Sequence, residues 1–107
     1  MINHYCMVIV KVKNTTLETE IYLEGHTGIS KKGQDIVCAG ISATLQFLII
    51  HFFNNLKREG YFHLSDGKGI VKLLKKEDDN KIINSFLEYL KIVEKSYPNA
   101  IKIHIII

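Results

Sequence analysis

The sequence has no tryptophan, one proline, two cysteines and only seven glycines among its 107 residues. So little proline and glycine leaves no composition typical of a linker, and two cysteines are too few for a disulfide-rich scaffold. Hydrophobic residues make up 47% and charged residues 23%, which excludes disordered, collagen-like and low-complexity chains. The length predicts one domain over residues 1–107, large enough to bury a core.

The charge balance is only mildly basic, with a net charge of +3. This is too weak to indicate a nucleic-acid partner, and we expect no direct nucleic-acid binding. The N-terminus lacks a basic region followed by an apolar one, so we expect no export signal. Two cysteines in such a chain favour unpaired thiols and a cytoplasmic location.

One apolar stretch, from Ile36 to Phe53, is long enough to be considered as a membrane span. It contains Ser42, Gln46 and His51, which a span tolerates only at a pore or a partner helix. We therefore expect no membrane insertion and interpret the stretch as a core helix. Its apolar residues occupy more than one face, which favours cover by the sheet on one side and by a second helix or a second subunit on the other.

Alternation and turn residues predict five strands and two helices. The first helix is expected to begin after an Asp35 cap and to end near Arg58, with Gly60 as its stop. Isoleucines at the C-terminus indicate a final strand with a buried end, and we place it centrally in the sheet. The fold class is α+β, in the order ββ-α-ββ-α-β, with two helices packed on one face of a mixed sheet. The expected strands are Tyr5–Lys13, Leu17–Leu23, Tyr61–Leu64, Ile70–Leu74 and Ala100–Ile107, and the second helix follows caps at Asp78, Asp79 and Asn80 and stops at Pro98.

The residues that carry chemistry lie in a glycine-containing loop and at the start of the first helix. With Asp35 as cap, Cys38 is at the third helical position. The free N–H groups and the positive dipole end of a helix N-terminus stabilise a thiolate there and offer donors for an oxyanion. His26, on the loop, is the nearest candidate base. The alternative is that Cys38 is an inert core cysteine, as most buried cysteines are.

Other kinds of site find less support. The sequence has no Cys-x-x-Cys and no His-Glu-x-x-His, so we expect no metal and no cofactor. Cys6 lies among apolar strand residues and is interpreted as core.

Two motifs together resemble the ribosomal-processing cysteine protease family, Prp, of bacteria. The family pattern is approximately Gly-His-Ala-Gly, a short loop, then Gly-x-Asp-Ile-Val-Cys-Ala-Ala-Val-Ser. The chain has Gly25-His26-Thr27-Gly28 and then Gly33-Gln34-Asp35-Ile36-Val37-Cys38-Ala39-Gly40-Ile41-Ser42. Thr27, Gly40 and Ile41 depart from the family pattern, but none of them replaces a reacting group.

The resemblance implies a cysteine endopeptidase with Cys38 as nucleophile and His26 as general base and acid. It also implies a homodimer that removes an N-terminal extension from a large-subunit ribosomal protein. Gly25, Thr27, Gly28 and Gly33 would then belong to a loop that closes on the substrate. Asp35 either caps the helix or orients His26, and Ser42 either hydrogen-bonds near the thiolate or simply permits close packing. The alternative function is a non-catalytic α/β module that binds the ribosome or its RNA.

Overall fold

Five strands and two helices follow one another in the predicted order, in a computed structural model that describes residues 8–25, 35–65, 67–76 and 78–106. Each predicted element has a counterpart, and those ends that lie within the described residues differ by a few positions at most. The first helix continues directly into a π-helical turn, Ile50–Asn55. The elements are β1 (Val8–Asn14), β2 (Glu18–Glu24), α1 (Asp35–Ile49), β3 (Gly60–Ser65), β4 (Lys68–Leu74), α2 (Asp79–Ser96) and β5 (Ile101–Ile106).

The strands form one mixed sheet in the order β3-β4-β2-β1-β5. Only β1 and β5 run parallel, and the other neighbours are antiparallel. The predicted α+β class is confirmed, but the central position predicted for the last strand is wrong, because β5 lies at an edge. Ile101 is buried while Ile106 is 57% exposed. The isoleucines of β5 therefore reflect burial of one face of the strand and not of both faces.

The β1–β2 hairpin is closed by a turn at Asn14, Thr15 and Thr16, between the two predicted strands. The hydroxyl oxygen of Thr15 accepts from the backbone N–H of Glu18 at 3.1 Å, and the Thr19 hydroxyl donates to the side-chain oxygen of Asn14 at 2.7 Å. Thr19 is 1% exposed, so this bond satisfies a polar group that would otherwise be costly to bury.

Alternation along the strands turns one row of apolar side chains toward the helices. Val10, Ile21 and Val71 on the sheet meet the apolar face of α1, where Ile41 and Leu45 are fully buried. Each such side chain stabilises the fold by about 1.5–3 kcal/mol relative to leaving it exposed. This packing fixes α1 against the sheet and thereby the position of its first turn.

The end of the first helix differs from the prediction. The π-helical turn closes with the N–H of Leu56 donating to the carbonyl oxygen of His51 at 3.1 Å, and Lys57 takes the left-handed conformation at φ 53°. Gly60 is therefore not the helix stop but the first residue of β3. A Cβ at Gly60 would collide with the carbonyl oxygen of Lys72 and approach the ring of Phe53, so its glycine permits a close strand contact.

A buried ion pair ties the end of the first helix to the start of the second. The guanidinium of Arg58 binds both carboxylate oxygens of Asp79, at 2.9 and 2.7 Å, and also donates to the carbonyl oxygen of Leu74. Asp79, predicted as one of three candidate caps, accepts the N–H of Lys76 as well. Burial opposes its ionisation, but these hydrogen bonds outweigh that effect and hold the pKa of Asp79 below its usual range.

Candidate active site

Cys38 lies in the first turn of α1, which begins at Asp35. Its side chain is half-buried and packs against the core. The first turn of a helix presents backbone N–H groups without intrahelical acceptors, at the positive end of the dipole. Cys38 is the fourth residue of α1, and not the third as an Asp35 cap implies. Its thiolate character and the role of the nearby N–H groups as oxyanion donors stay predictions.

The redox state of Cys38 differs from the expectation of an unpaired thiol. Cys38 is disulfide-bonded in the structure. A sulfur in a disulfide carries no thiolate and cannot act as the attacking nucleophile until it is reduced. Any chemistry at this position therefore requires the reduced protein. Cys6, the other cysteine of the sequence, lies outside the described residues.

Most of the predicted loop also lies outside the described residues, including His26, Thr27, Gly28 and Gly33. The pairing of His26 with Cys38 stays a prediction. Asp35 is itself the first residue of α1, within the helix rather than before it as expected. Its side chain lies outside the described part, so its capping and orienting roles stay predictions.

Gly25 is the one predicted loop residue whose conformation is described. Its φ is 138°, a region that L side chains rarely adopt, so glycine is favoured there. Its N–H donates to the carbonyl oxygen of Gly67 at 3.1 Å, which joins the end of β2 to the β3–β4 turn. The residue before His26 is thereby anchored to the sheet.

Ser42 lies one helical turn after Cys38 and is half-buried. Within the described part of the chain its hydroxyl makes no hydrogen bond. This favours the interpretation of Ser42 as a small residue that permits close packing.

A contact that the sequence analysis missed lies on another face of α1. The hydroxyl of Tyr89 on α2 lies over Gly40, close enough that a Cβ there would be 2.6 Å from it. The signal was a glycine inside a helix, which often marks a close approach of another element. Gly40 thus serves packing between the helices, two residues after Cys38.

The described residues contain no cluster of three or more side chains of the kinds that bind metals. The stretch Ile36–Asn55 has the length and composition of a membrane-crossing helix, and about a third of its apolar window is buried in the fold. Core helices can have the same length and composition, and α1 packs on the sheet as a core helix does.

Comparison with known protein families gives one match, over a range that includes Cys38. The family model of the cysteine protease Prp matches residues 7–102. The chain belongs to the Prp family of cysteine proteases. The match spans both predicted motifs, and it covers most of the elements that build the sheet. It therefore favours an enzyme over the non-catalytic module.

Solved structures show the same fold. The ribosomal processing protease Prp from S. aureus with a covalently linked product peptide is 23% identical, with a TM-score of 0.69 over 92% of this chain and 99% of that one. The same protease with a substrate peptide gives 24% identity, the same TM-score and the same coverages. SMU.848 from Streptococcus mutans gives 19% identity and a TM-score of 0.72, over 95% of this chain and 94% of that one. No curated protein sequence matches the chain.

Proposed function

We propose that this protein is a cytoplasmic endopeptidase that removes a short N-terminal extension from a large-subunit bacterial ribosomal protein. The observation that carries the proposal is Cys38 in the first turn of α1, within a chain of the cysteine protease family Prp. The substrate class is supported by the S. aureus ribosomal processing protease, whose structures contain a substrate peptide and a product peptide.

The proposed chemistry uses Cys38 and His26. In the reduced protein His26 accepts the thiol proton, and the thiolate attacks the scissile carbonyl carbon. Backbone N–H groups of the first turn of α1 stabilise the oxyanion that forms. Protonated His26 then gives its proton to the leaving amine, and water hydrolyses the thioester to restore the thiol. Each step needs only a peptide bond, a water molecule and these two side chains.

The remaining predicted residues take supporting roles in the proposal. Asp35 caps α1 or orients His26, and the first role needs nothing beyond local geometry. Gly25, anchored by Gly67, is a fixed point from which the segment carrying His26 starts. Gly28 and Gly33 belong to the part of that segment that would close on the substrate.

We also propose that the protein acts as a homodimer. The outward face of the first helix carries exposed apolar side chains, among them Ile36 and Phe47, each 61% exposed, and Ile50, 43% exposed. The stretch from Ile36 to Asn55 contains no charged residue. An uncharged apolar face can meet its own copy about a twofold axis without like-charge repulsion.

Cleavage of the full-length ribosomal protein precursor by the purified, reduced protein tests the function, with mass spectrometry to read the new N-terminus. The native chain should release one short N-terminal peptide, and Cys38→Ala should release none. Cys6→Ala is the matched control, because it also removes one sulfur and should keep the cleavage. Cleavage by Cys38→Ala, or none by the native chain, would refute the proposal.

A further inference from the structure

Cys38 is held in a disulfide bond, although the proposed cleavage needs a thiol at this position. The sequence contains two cysteines, so the partner of Cys38 within the chain is Cys6. Cys6 takes no part in the cleavage chemistry proposed above, in which only Cys38 and His26 react. The bond therefore involves a second cysteine that catalysis leaves unused.

The first helix and β1 run in the same direction over the sheet. A Cβ at Gly69 would lie 2.6 Å from Leu45 on α1. Gly69 lies in one row of the sheet with Val10, since both pair with the same residue of β2. Farther along, in the π-helical turn, Phe53 lies 3.0 Å from the position of a Cβ at Gly60, and the row of Gly60 reaches the last residue of β1. From Leu45 to Phe53 the helix thus follows β1 from Val10 toward its end.

Cys38 therefore lies at the level where β1 begins. It precedes Leu45 by about two helical turns, or about 10 Å along the helix axis. A strand covers the same length in about three residues. Counted back from Val10, this length reaches the start of β1 at Val8 and the residue just before it. Cys6 precedes Val8 by two positions in the sequence, so the level of Cys38 suits a bond to Cys6.

The side chains of β1 that face the helices stand at even-numbered positions, as Cys6 does. Val8, Val10 and Val12 are buried and belong to the core cluster against which Cys38 packs. Successive side chains of a strand alternate between its two faces. The strand that the sequence predicts includes Cys6, and within it the thiol of Cys6 belongs to the row that faces the helices.

A disulfide is unusual in the cytoplasm, the location proposed for this protein. Thiols are kept reduced there, and the disulfides that do form are usually catalytic or redox-sensing. A redox-sensing site combines a nucleophilic thiolate with a second cysteine that resolves its oxidised form. We propose that Cys6 is the resolving cysteine of a reversible redox switch, which stops the peptidase by forming a disulfide with Cys38. The inference rests on the proposed peptidase function and concerns its regulation.

A hydroperoxide is the oxidant in this switch. The Cys38 thiolate attacks one peroxide oxygen, the O–O bond breaks, and Cys38 becomes a sulfenic acid while an alcohol, or water from hydrogen peroxide, leaves with a proton. The Cys6 sulfur then attacks the Cys38 sulfur, and the hydroxyl leaves as water with the Cys6 proton. The two thiols lose two electrons in total, and the peroxide gains them. A dithiol reductant reverses the bond through a mixed disulfide and itself ends as a disulfide.

Disulfide mapping of the oxidised protein tests the switch without a substrate. The native chain is fully reduced, treated with hydrogen peroxide, alkylated and digested without reductant. Mass spectrometry should find a peptide that joins Cys6 to Cys38, and iodoacetamide labelling of Cys38 should fall by about tenfold or more and return with dithiothreitol. A Cys38 that stays a thiol, that bonds to another chain, or that is oxidised while Cys6 stays a thiol overturns the proposal.

Recovery of activity separates the switch from oxidative damage. A sulfenic acid without a resolving cysteine proceeds to sulfinic acid, which thiol reductants do not reverse. After excess hydrogen peroxide, cleavage by the native chain should be lost and should return with dithiothreitol, whereas Cys6→Ala should lose cleavage permanently. Met7→Leu is the matched control, because it removes the neighbouring sulfur at similar volume and keeps both thiols. It should recover as the native chain does.

The outcomes of the two tests are distinct. Equal recovery of the native chain and Cys6→Ala overturns the switch and leaves the peptidase function standing. A reduced native chain that cleaves nothing counts against the peptidase function, and disulfide mapping then still decides whether Cys6 and Cys38 bond on oxidation. Thermal unfolding of reduced Cys6→Ala and Met7→Leu verifies that both keep the fold.

Discussion

The hydroxyl of Tyr89 occupies the space that a side chain at position 40 would need. A Cβ at Gly40 would lie 2.6 Å from the hydroxyl oxygen but 4.0 Å from the ring carbon that carries it. The conflict is therefore with one atom, and the two helices are otherwise separated by an ordinary contact distance. The family pattern has alanine at this position, and the glycine of this chain leaves room for the Tyr89 hydroxyl on α2.

Gly40→Ala alone should fail to stabilise the protein. Alanine gains up to about 1 kcal/mol over glycine within a helix, but here the added carbon must displace the Tyr89 hydroxyl. In a Tyr89→Phe background the hydroxyl is absent, and Gly40→Ala should then raise the free energy of unfolding by up to about 1 kcal/mol. Urea unfolding of the four proteins in this double-mutant cycle gives both values. An equal effect of Gly40→Ala in both backgrounds would show that the hydroxyl imposes no constraint.

Removing one member of the Arg58–Asp79 pair should destabilise the fold strongly. The two side chains are only 7% and 6% exposed, so Asp79→Ala leaves a buried guanidinium without its carboxylate. A loss of about 3 kcal/mol in the free energy of unfolding is expected. Lys75→Ala is the control, because its exposed hydrogen bond to Asn80 should contribute about 0.5 kcal/mol or less. Similar effects of the two variants would contradict a structural role for the pair.

The same pair predicts how stability depends on pH. The hydrogen bonds from Arg58 and Lys76 outweigh burial and hold the pKa of Asp79 below its unfolded value, about 3.9. A carboxyl with a depressed folded pKa contributes its stability fully above the unfolded pKa, and loses it as the pH falls through the folded pKa. The stability difference between the native chain and Asp79→Asn should therefore be constant near neutral pH and shrink below about pH 4. Denaturant unfolding of both proteins from pH 7 to pH 2 measures it, and a difference that persists undiminished at pH 2 contradicts the assignment.

The thiol chemistry predicts a dependence on reductant and on His26. Without reductant the disulfide at Cys38 should suppress both cleavage and alkylation by iodoacetamide, and a phosphine reductant should restore them. In the reduced protein Cys38 should be alkylated near neutral pH much faster than Cys6. His26→Ala should lower cleavage by about a hundredfold or more, the usual scale for a lost general base. Peptide mapping of the labelled sites follows both thiols, and a faster Cys6 would refute the assignment of the nucleophile.

The exposed face of α1 predicts self-association. Sedimentation at micromolar concentration should show a species of twice the 12.3 kDa chain mass. Phe47→Lys should shift it toward the monomer, because a charge placed at a twofold interface meets its own copy. Leu17→Lys is the control, since Leu17 is 75% exposed but lies in the β1–β2 turn. A native chain that sediments only as a monomer removes the argument.

The sequence predicted the helices and strands well because each depends on the spacing and type of neighbouring residues. The helical spacing of Phe86 and Leu90 puts both on one face of α2, and that face is buried. The β1–β2 turn forms between the two strands that the sequence predicts. Strand order has no local cause. The isoleucines of β5 suit a central strand or an edge strand covered by a helix equally well, and only the topology decides between them.

The candidate site shows the same division. Cys38 could be placed at a helix start because capping and dipole effects act within one turn. The residue with left-handed conformation after the first helix could not be predicted from the sequence. It is Lys57, and a lysine gives no local signal for that conformation. Gly60 was expected to end the helix, but glycine is needed there because the Lys72 carbonyl oxygen and the Phe53 ring leave no room for a Cβ. Phe53 and Lys72 are far apart in the sequence, so no local pattern indicates this constraint.

The parallel pairing of β1 with β5 joins Val8 to Ile101, near opposite ends of the chain. During synthesis β1 can pair with β2 soon after both emerge, but its other edge stays unpaired until β5 has left the ribosome. Contacts of such long range also slow folding. A chain truncated within α2 would keep β1 as an open apolar edge, prone to pairing with other chains. The sheet therefore reaches its finished state only after β5 has emerged, so a protease proposed to mature ribosomes has its own internal strand unprotected on one side until its fifth strand leaves the ribosome.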